Sequence, residues 1–590
     1  MSLRNLFFYC RNKYLTKISL FSHYSTKSLS HCDQTKIHFN DSEVAYSAKK
    51  TSEIIRALLV FRLCSIDFLV NNNKKILKLC RTIFGKYIFE FIMKQTIYGH
   101  FVAGSSQEDI KSIVKLNRQF GVKSILDYSV EEDITEEKAK EIVKDTMETM
   151  LDQQQKCPDS LNVKFQTNID FANRRNNVIG ARTYFYTSEC QCDENIEIFK
   201  KCINASSYTA NEGEGFTAVK LTSMGPPQLL MHISDILIQL QNFFKIFAEH
   251  KNQKNSLDEI KFDLQNFQER LKNMKIEISY DEQLKWFTLL DVNKDSHIDL
   301  FEWLNLKNFE HNLGDLFKIK DLQTGVTKSL IKPLSKDGIL SMRRMLQRLD
   351  ELAEHAKKKN TRLMIDAEQS YFQPAIRRIT LELMRRFNKE KPIIFNTYQC
   401  YLKDALEQIN SDLAFAGQES FYFGAKLVRG AYMEQERERA RIQKYTDPIN
   451  STYEDTTYMY NDCMDAIFHS ILQRPRGMVL VMIASHNIET IQTAIHKLRE
   501  FSILPNEKLL CFGQLLGMCD HISFTLGSLG FSVYKYMPYG PVEEVLPYLS
   551  RRALENRAVL AKSKEEQNLL WHELIRRLMT NSLIKYPKLH

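Results

Sequence analysis

Two arginines stand side by side, Arg551 and Arg552, in the stretch Tyr534–Asn556 of this 590-residue chain. At helical spacing Tyr548, Arg551, Arg552 and Glu555 fall at i, i+3, i+4 and i+7 and so share one face. Adjacent guanidiniums on that face can grip a carboxylate or phosphate with two prongs, more rigidly than two lysines would. Tyr536 closes the strand-like run before them and can reach whatever they hold. The stretch is expected to open as a short strand, break at Met537–Pro541 and continue as a helix kinked by Pro547. Taken alone it reads as a solvated charge stripe on a surface helix. The rest of the chain overturns that.

Seven polar residues, Lys220, Asp366, Asn396, Arg429, His486, Gln514 and Tyr536, end short apolar runs. The runs are SILDY (124–128), FTAVKLT (216–222), RLMIDAEQ (362–369), PIIFNTYQ (392–399), YFGAKLVRG (422–430), MVLVMIASHN (478–487), LLCFGQ (509–514) and SVYKYMPYG (532–540). A helical pattern follows each, and several starts lie roughly 30 residues apart, about one βαβ unit. Near-continuous apolar runs are what strands buried on both faces look like. Eight such units in series predict an α/β fold, a closed (β/α)8 barrel whose C-terminal strand ends converge on one rim. A single His or Asn at a strand end is usually structural; seven polar ends converging are harder to explain by packing. One further strand-like segment, ARTYFY (181–186), is placed in an excursion between the first two barrel strands.

Residues 250–336 interrupt the rhythm with charge-rich helical patterns around DVNKDSHIDLFE at 291–302. That is calcium-loop spacing, with Asp291, Asn293, Asp295, His297, Asp299 and Glu302 at positions 1, 3, 5, 7, 9 and 12. Ser296 stands at position 6, where the sharp turn wants Gly; a left-handed Ser costs on the order of 1–2 kcal/mol. No second loop is apparent in the sequence to pair with it.

The composition, 43% hydrophobic and 26% charged, is that of an ordinary folded protein, and its length allows a large core. A net charge of +9 without a dense basic–aromatic run makes nucleic acid a poor partner. Residues 1–32 hold no Asp or Glu and are rich in Arg, Lys, Ser and large apolar residues, the pattern of a mitochondrial transit peptide. Twelve cysteines fit reduced thiols; Cys190 and Cys192 lack a second pair to complete a zinc site. No run is long and apolar enough to span a bilayer, and Ile54–Ile92 reads as amphipathic helices that lie on a membrane surface or pack on the domain. There is no nucleophile elbow and no Rossmann glycine fingerprint.

Ten blocks taken together, among them YGHFVAG (98–104), GFTAVKLTSMG (215–225), RLMIDAEQSYFQPAI (362–376), FGAKLVRGAYMEQER (423–437) and VYKYMPYGPVEEVLPYLSRRALEN (533–556), resemble the mitochondrial proline dehydrogenase (proline oxidase) family. They run in order over most of residues 98–556, and the loop-bearing insertion resembles one in animal members. The resemblance implies a flavoprotein with a distorted (β/α)8 barrel. It would oxidise L-proline to Δ1-pyrroline-5-carboxylate and pass electrons to ubiquinone or another membrane acceptor, in peripheral contact with the inner mitochondrial membrane. It implies that Arg551 and Arg552 hold the proline carboxylate with Lys220 assisting, and that Tyr536, Leu515 and Tyr432 pack around the ring. Asp366 would lie beside substrate and flavin, and Glu131 would pair with Arg551. For FAD it implies Asn396, Lys426, Arg429, Gly430, His486, Asn487, Gln514 and Glu555. Asn396 replaces a Gln and Lys426 an Arg of the bacterial pattern, which changes contact geometry while keeping hydrogen-bond donors. The alternatives are a hydroxyproline dehydrogenase, whose relatives carry a small residue at the position of Tyr536, a Schiff-base barrel built on Lys220, and a calcium-responsive scaffold on a dead barrel. The implied division is a transit peptide (1–30), an N-terminal helical region (31–97), barrel halves (98–249 and 337–556), the helical insertion (250–336) and a C-terminal helix with tail (557–590).

Overall fold

A computed structural model describes residues 37–128, 186, 188–209, 215–248, 257–274, 276, 278–305, 317–320, 327–329, 331, 333–558 and 560–583. Phe39–His590 forms one compact unit. The 1–30 segment, Glu131 and all of ARTYFY but Tyr186 lie outside the described residues.

Eight parallel strands close the barrel: β1 (Val122–Tyr128), β2 (Phe216–Val219), β3 (Arg362–Ile365), β4 (Ile394–Gln399), β5 (Phe423–Val428), β6 (Val479–Ala484), β7 (Leu510–Leu515) and β8 (Val533–Tyr539). Each falls within one of the eight apolar runs, allowing for a residue or two at its ends. Going round the barrel the order is β1-β8-β7-β6-β5-β4-β3-β2, so every strand lies beside its sequence neighbours and β8 closes on β1. Every residue of β2 and β4 is buried, as expected of strands covered on one side by the barrel interior and on the other by helices. Inside, Phe216 meets Phe395 and Tyr534 edge-on at 5.1 and 5.0 Å.

Two expectations about the last strand fail. β8 does not break at Met537 but runs through Pro538 to Tyr539, in register with β1 from Val122↔Val533 to Tyr128↔Tyr539. A proline forfeits only its own donor; the Pro538 carbonyl still accepts from Ala103 N at 2.9 Å. The YGHFVAG block is thereby laid along the end of β8, with Gly540 N donating to Gly104 O and the Tyr98 hydroxyl to Gly540 O. Nor does Pro547 kink a helix. It is the second residue of the helix Leu546–Ala558, in the first turn, where its missing N–H has no intrahelical partner to lose.

The chain termini meet outside the barrel. Thr51–Cys64 packs Ile54, Ala57 and Phe61 against Leu569 and Leu570 of the C-terminal helix Leu560–Met579. Arg577, 1% exposed, fixes that contact by donating to Glu573, to the carbonyls of Tyr46 and Lys49, and to Thr51 Oγ1.

The insertion packs on the barrel helix Pro227–Ala248 through an aromatic cluster, with Trp303 5.4–5.5 Å from Phe244 and Phe247. It also corrects the view that the calcium-type loop has no partner. Ile298, position 8 of that loop, exchanges both backbone hydrogen bonds with Phe262, at 2.8 and 2.9 Å. In each segment the next residue is an aspartate, Asp299 or Asp263, that caps the following helix. Leu257–Asn266 thus pairs with the loop through its backbone. Its sequence lacks the calcium-loop spacing that would have marked it.

Candidate active site

Asp366, one residue beyond β3, is the centre of a charged cluster at the C-terminal rim. Its Oδ1 takes a hydrogen bond from Lys426 Nζ at 2.5 Å and its Oδ2 one from the Tyr536 hydroxyl at 3.1 Å. Lys220 Nζ lies 3.9 Å from Asp366 Oδ2 and 3.7 Å from Asp127 Oδ1. Burial raises the Asp366 pKa, but Lys426 and Lys220 outweigh it, so the carboxyl is held below its usual range. The Tyr536 phenol is pushed far up, first by burial and then by Asp127 and Asp366, so it stays a hydrogen-bond donor.

Not every member stands at a strand end. Asn396, Gln514 and Tyr536 lie inside β4, β7 and β8, but stagger brings them to the rim. Asn396 pairs with Ile365, the last residue of β3, and Tyr536 with Leu515, the last of β7.

The arginine helix is not a solvated stripe. Arg551 and Arg552 are 8% and 3% exposed, and their guanidiniums lie 5.9 and 5.0 Å from the Tyr548 ring. Leu515, the strand partner of Tyr536, packs on the core cluster that holds Tyr548, Leu549 and Ala553, which places the helix beside the charged cluster. The Leu515 amide donates to His486 Nε2 at 3.1 Å. Tyr432, 6% exposed, aims its hydroxyl at the Ala367 carbonyl, one residue past Asp366.

Arg429 donates through Nη2 to Thr457 and lies 4.4 Å over the Tyr453 ring, yet its Nε and Nη1 are buried with no hydrogen-bond partner among the described residues. A buried guanidinium edge left open in this way suits an anionic group such as a cofactor phosphate. Gly430 follows at φ 137°, and a Cβ there would come within 2.4 Å of the Tyr401 ring, so only glycine fits. Two expected contacts are already partly spent. Asn487 caps the helix Ile488–Glu500 and donates to Tyr453, and the Gln514 amide is bonded to Ser523 and Ser485. Glu555 lies in the arginine helix; its side chain is outside the described residues.

The sequence reading missed two residues. Asp127 bridges Lys220 and Tyr536 from β1, and the rule applied to the other seven runs, a polar residue ending an apolar one, picks it out of SILDY. Glu368, fully buried, accepts from Thr222 Oγ1 at 2.8 Å, and burial raises its pKa to about 7. Nothing in the sequence marked it.

In the calcium-type loop, carboxylate oxygens of Asp291, Asp295 and Glu302 lie within 4.8 Å of one another. Asn293 Oδ1 accepts from Asp295 N, and the His297 ring turns back to the Asp295 carbonyl. Asp299 points elsewhere, capping its helix and accepting from Gln418. Ser296 takes φ 65°, the left-handed turn its position requires.

A family model described as Proline dehydrogenase matches residues 110–565. The chain is 44% identical over 561 residues to Proline dehydrogenase 1, mitochondrial, of Caenorhabditis elegans, covering 94% of this chain and 90% of that one. It is 29% identical over 545 residues to Hydroxyproline dehydrogenase of Xenopus laevis, covering 92% and 91%. Proline utilization A from Bdellovibrio bacteriovorus is 16% identical with a TM-score of 0.45, over 89% of this chain; the chain spans 40% of that longer one.

Proposed function

We propose, on the premise that this chain belongs to the proline dehydrogenase family, that the rim around Asp366 is where it oxidises proline. The observation that carries this reading is one carboxylate between two lysines, with a tyrosine hydroxyl on it and a buried arginine pair alongside. Arg551 and Arg552 take the substrate carboxylate in a planar fork, with Lys220 adding charge. Tyr536, Leu515 and Tyr432 enclose the ring, and Glu131 pairs with Arg551 to close the pocket. Oxidation to Δ1-pyrroline-5-carboxylate removes hydride from the ring carbon next to nitrogen and a proton from the nitrogen, leaving a C=N bond. The protein's share is to orient the ring, exclude water and hold the surrounding charge fixed. FAD, when bound, accepts the hydride. Arg429 and the Gly430 backbone fit its phosphates, and Asn396, Lys426, His486, Asn487, Gln514 and Glu555 are its remaining contacts. Identity of 44% to a proline enzyme against 29% to a hydroxyproline enzyme favours the unsubstituted ring. The chain is mitochondrial like those relatives; the leader at 1–30, the matrix side of the inner membrane and a quinone acceptor complete the reading.

Arg551→Ala and Arg552→Ala test it. Each loses a charge-assisted pair worth roughly 1.5–3 kcal/mol, about tenfold to over a hundredfold in kcat/KM for proline. Flavin absorbance should stay normal. Unchanged kcat/KM in both variants would overturn the assignment.

The insertion is read as a calcium site of Asp291, Asn293, Asp295 and Glu302, with the His297 carbonyl, while Asp299 stays committed to its helix cap. Relieving the left-handed Ser296 by Ser296→Gly should tighten calcium on the order of fivefold to thirtyfold in calorimetry. No calcium heat in either form would remove the site.

A further inference from the structure

The helical segment Asn73–Gln95, broken at Gly85 (φ 72°), turns apolar side chains to solvent that nothing in the described chain covers. Phe68, in the short helix before it, is 69% exposed, and Ile83, Tyr87 and Phe91 are 65%, 86% and 64% exposed. Tyr87, Ile88, Phe91 and Ile92 follow i, i+1, i+4, i+5, so they form one face. Phe89 and Met93 point the other way, into the core. Exposed aromatic and β-branched residues in such a run are not scattered surface apolars.

The inward face meets the active site. Phe89 and Met93 share a core cluster with Tyr548, Leu549 and Ala553 of the arginine helix and with Leu515. Arg81 and Lys86 reach Glu543, in the turn between β8 and that helix, at 2.9 and 3.8 Å. Residues 66–95 carry six Lys or Arg against two acids. Among the described residues no carboxylate lies within ion-pair distance of Lys75, Lys78 or Lys94, all exposed.

We propose that Asp67–Gln95 docks on an anionic lipid surface, with its aromatic face in the headgroup–acyl boundary and its lysines on the headgroups. The arginine helix would then sit one side-chain layer from the bilayer. The choice of a lipid partner rests on the membrane-acceptor reading above; the choice of surface rests on exposure and charge. A second copy of the chain is the rival occupant, but like basic charges would face each other across it.

Flotation of the full-length protein with vesicles of phosphatidylcholine, alone or mixed with phosphatidylglycerol, tests this, alongside proline turnover with a soluble electron acceptor. The wild type should float with the mixed vesicles only, and salt should release it. Tyr87→Asp combined with Phe91→Asp should weaken flotation by about tenfold or more, from the apolar area no longer buried, with soluble-acceptor turnover and elution volume unchanged. Flotation equal to wild type in that variant would overturn the proposal. So would a wild type that stays in solution, or one that elutes as a dimer which the substitutions split. A wild type that floats with the mixed vesicles but does not turn over proline would instead count against the enzymatic reading alone.

Discussion

Neighbouring residues of β8 lead to two clusters built to the same plan. Tyr536 reaches into the barrel mouth to Asp366, which lies between Lys426 and Lys220. Lys535, on the opposite side of the strand, points into the helix layer at Asp520, which lies between Lys535 and Lys49 at 2.8 and 3.1 Å. In both, burial raises the carboxyl pKa and two ammoniums bring it back below the usual range. The difference is what surrounds them. Lys535 spends its remaining donors on the carbonyls of Met518 and Leu515, and its own side chain is 1% exposed. At the rim that holds Asp366 stand a phenol, a buried arginine pair and, one residue past β5, Arg429 with an open guanidinium edge. A buried carboxylate between two cations is therefore no mark of an active site. Donor groups left open on the same rim set the two clusters apart.

Breaking the closed cluster should have the largest effect. Lys535→Met strips Asp520 of its buried partner and should cost about 3–5 kcal/mol in chemical denaturation. Whatever fraction folds should turn over proline at near-normal kcat. A stable protein with defective turnover would reverse the roles of the two clusters.

Asp366→Asn should shift the balance toward rate. The amide keeps the shape but leaves Lys426 and Lys220 without their carboxylate, so stability falls by less than in Lys535→Met, while proline kcat/KM falls about tenfold to a hundredfold for one lost charge-assisted contact. Steady-state kinetics with a soluble acceptor reads this, and a fall in stability without a fall in rate would refute it.

Glu368 sharpens the comparison because burial outweighs the one cation that bears on it, Lys220, where Asp366 and Asp520 each have two that win. Its pKa is raised to about 7 in the fold, so the unfolded chain ionises first as pH rises. Stability is full below the ordinary glutamate range and is lost as pH climbs through about 7. Asp366 and Asp520, held low, contribute above the usual carboxylate range and lose it as pH falls. Glu368→Gln should leave stability at about pH 4 nearly unchanged and raise it at about pH 8 by on the order of 1–3 kcal/mol. Denaturation at the two pH values shows the difference; equal changes at both would mean Glu368 is ionised in the fold.

These contrasts also explain what the sequence could reveal. Strands buried on both faces must be apolar nearly throughout, so all eight runs stood out, and a polar residue ending such a run had to face the rim or be satisfied elsewhere. Lys535 defeats that logic. It interrupts SVYKYMPYG yet faces the helices, and only the paired Asp520, fifteen residues upstream, shows why it is tolerated. Pro538 and Pro547 misled because each sits where its missing donor costs nothing. Phe262 and Glu368 carry no local signature, since their partners, Ile298 and Thr222, lie far along the chain.

The clamp at Arg577 has a consequence for how the protein is made. Its guanidinium binds the Lys49 carbonyl across 528 residues of sequence. A chain delivered N-terminus first, from a ribosome or through a translocation pore, presents the Thr51–Cys64 helix at the start and its docking partner at the very end. At synthesis rates of about 5–20 residues per second the wait is roughly half a minute or more. Through that interval Ile54 and Phe61 have no Leu569 or Leu570 to cover them. The early chain therefore carries an uncovered apolar face until the last helix has emerged.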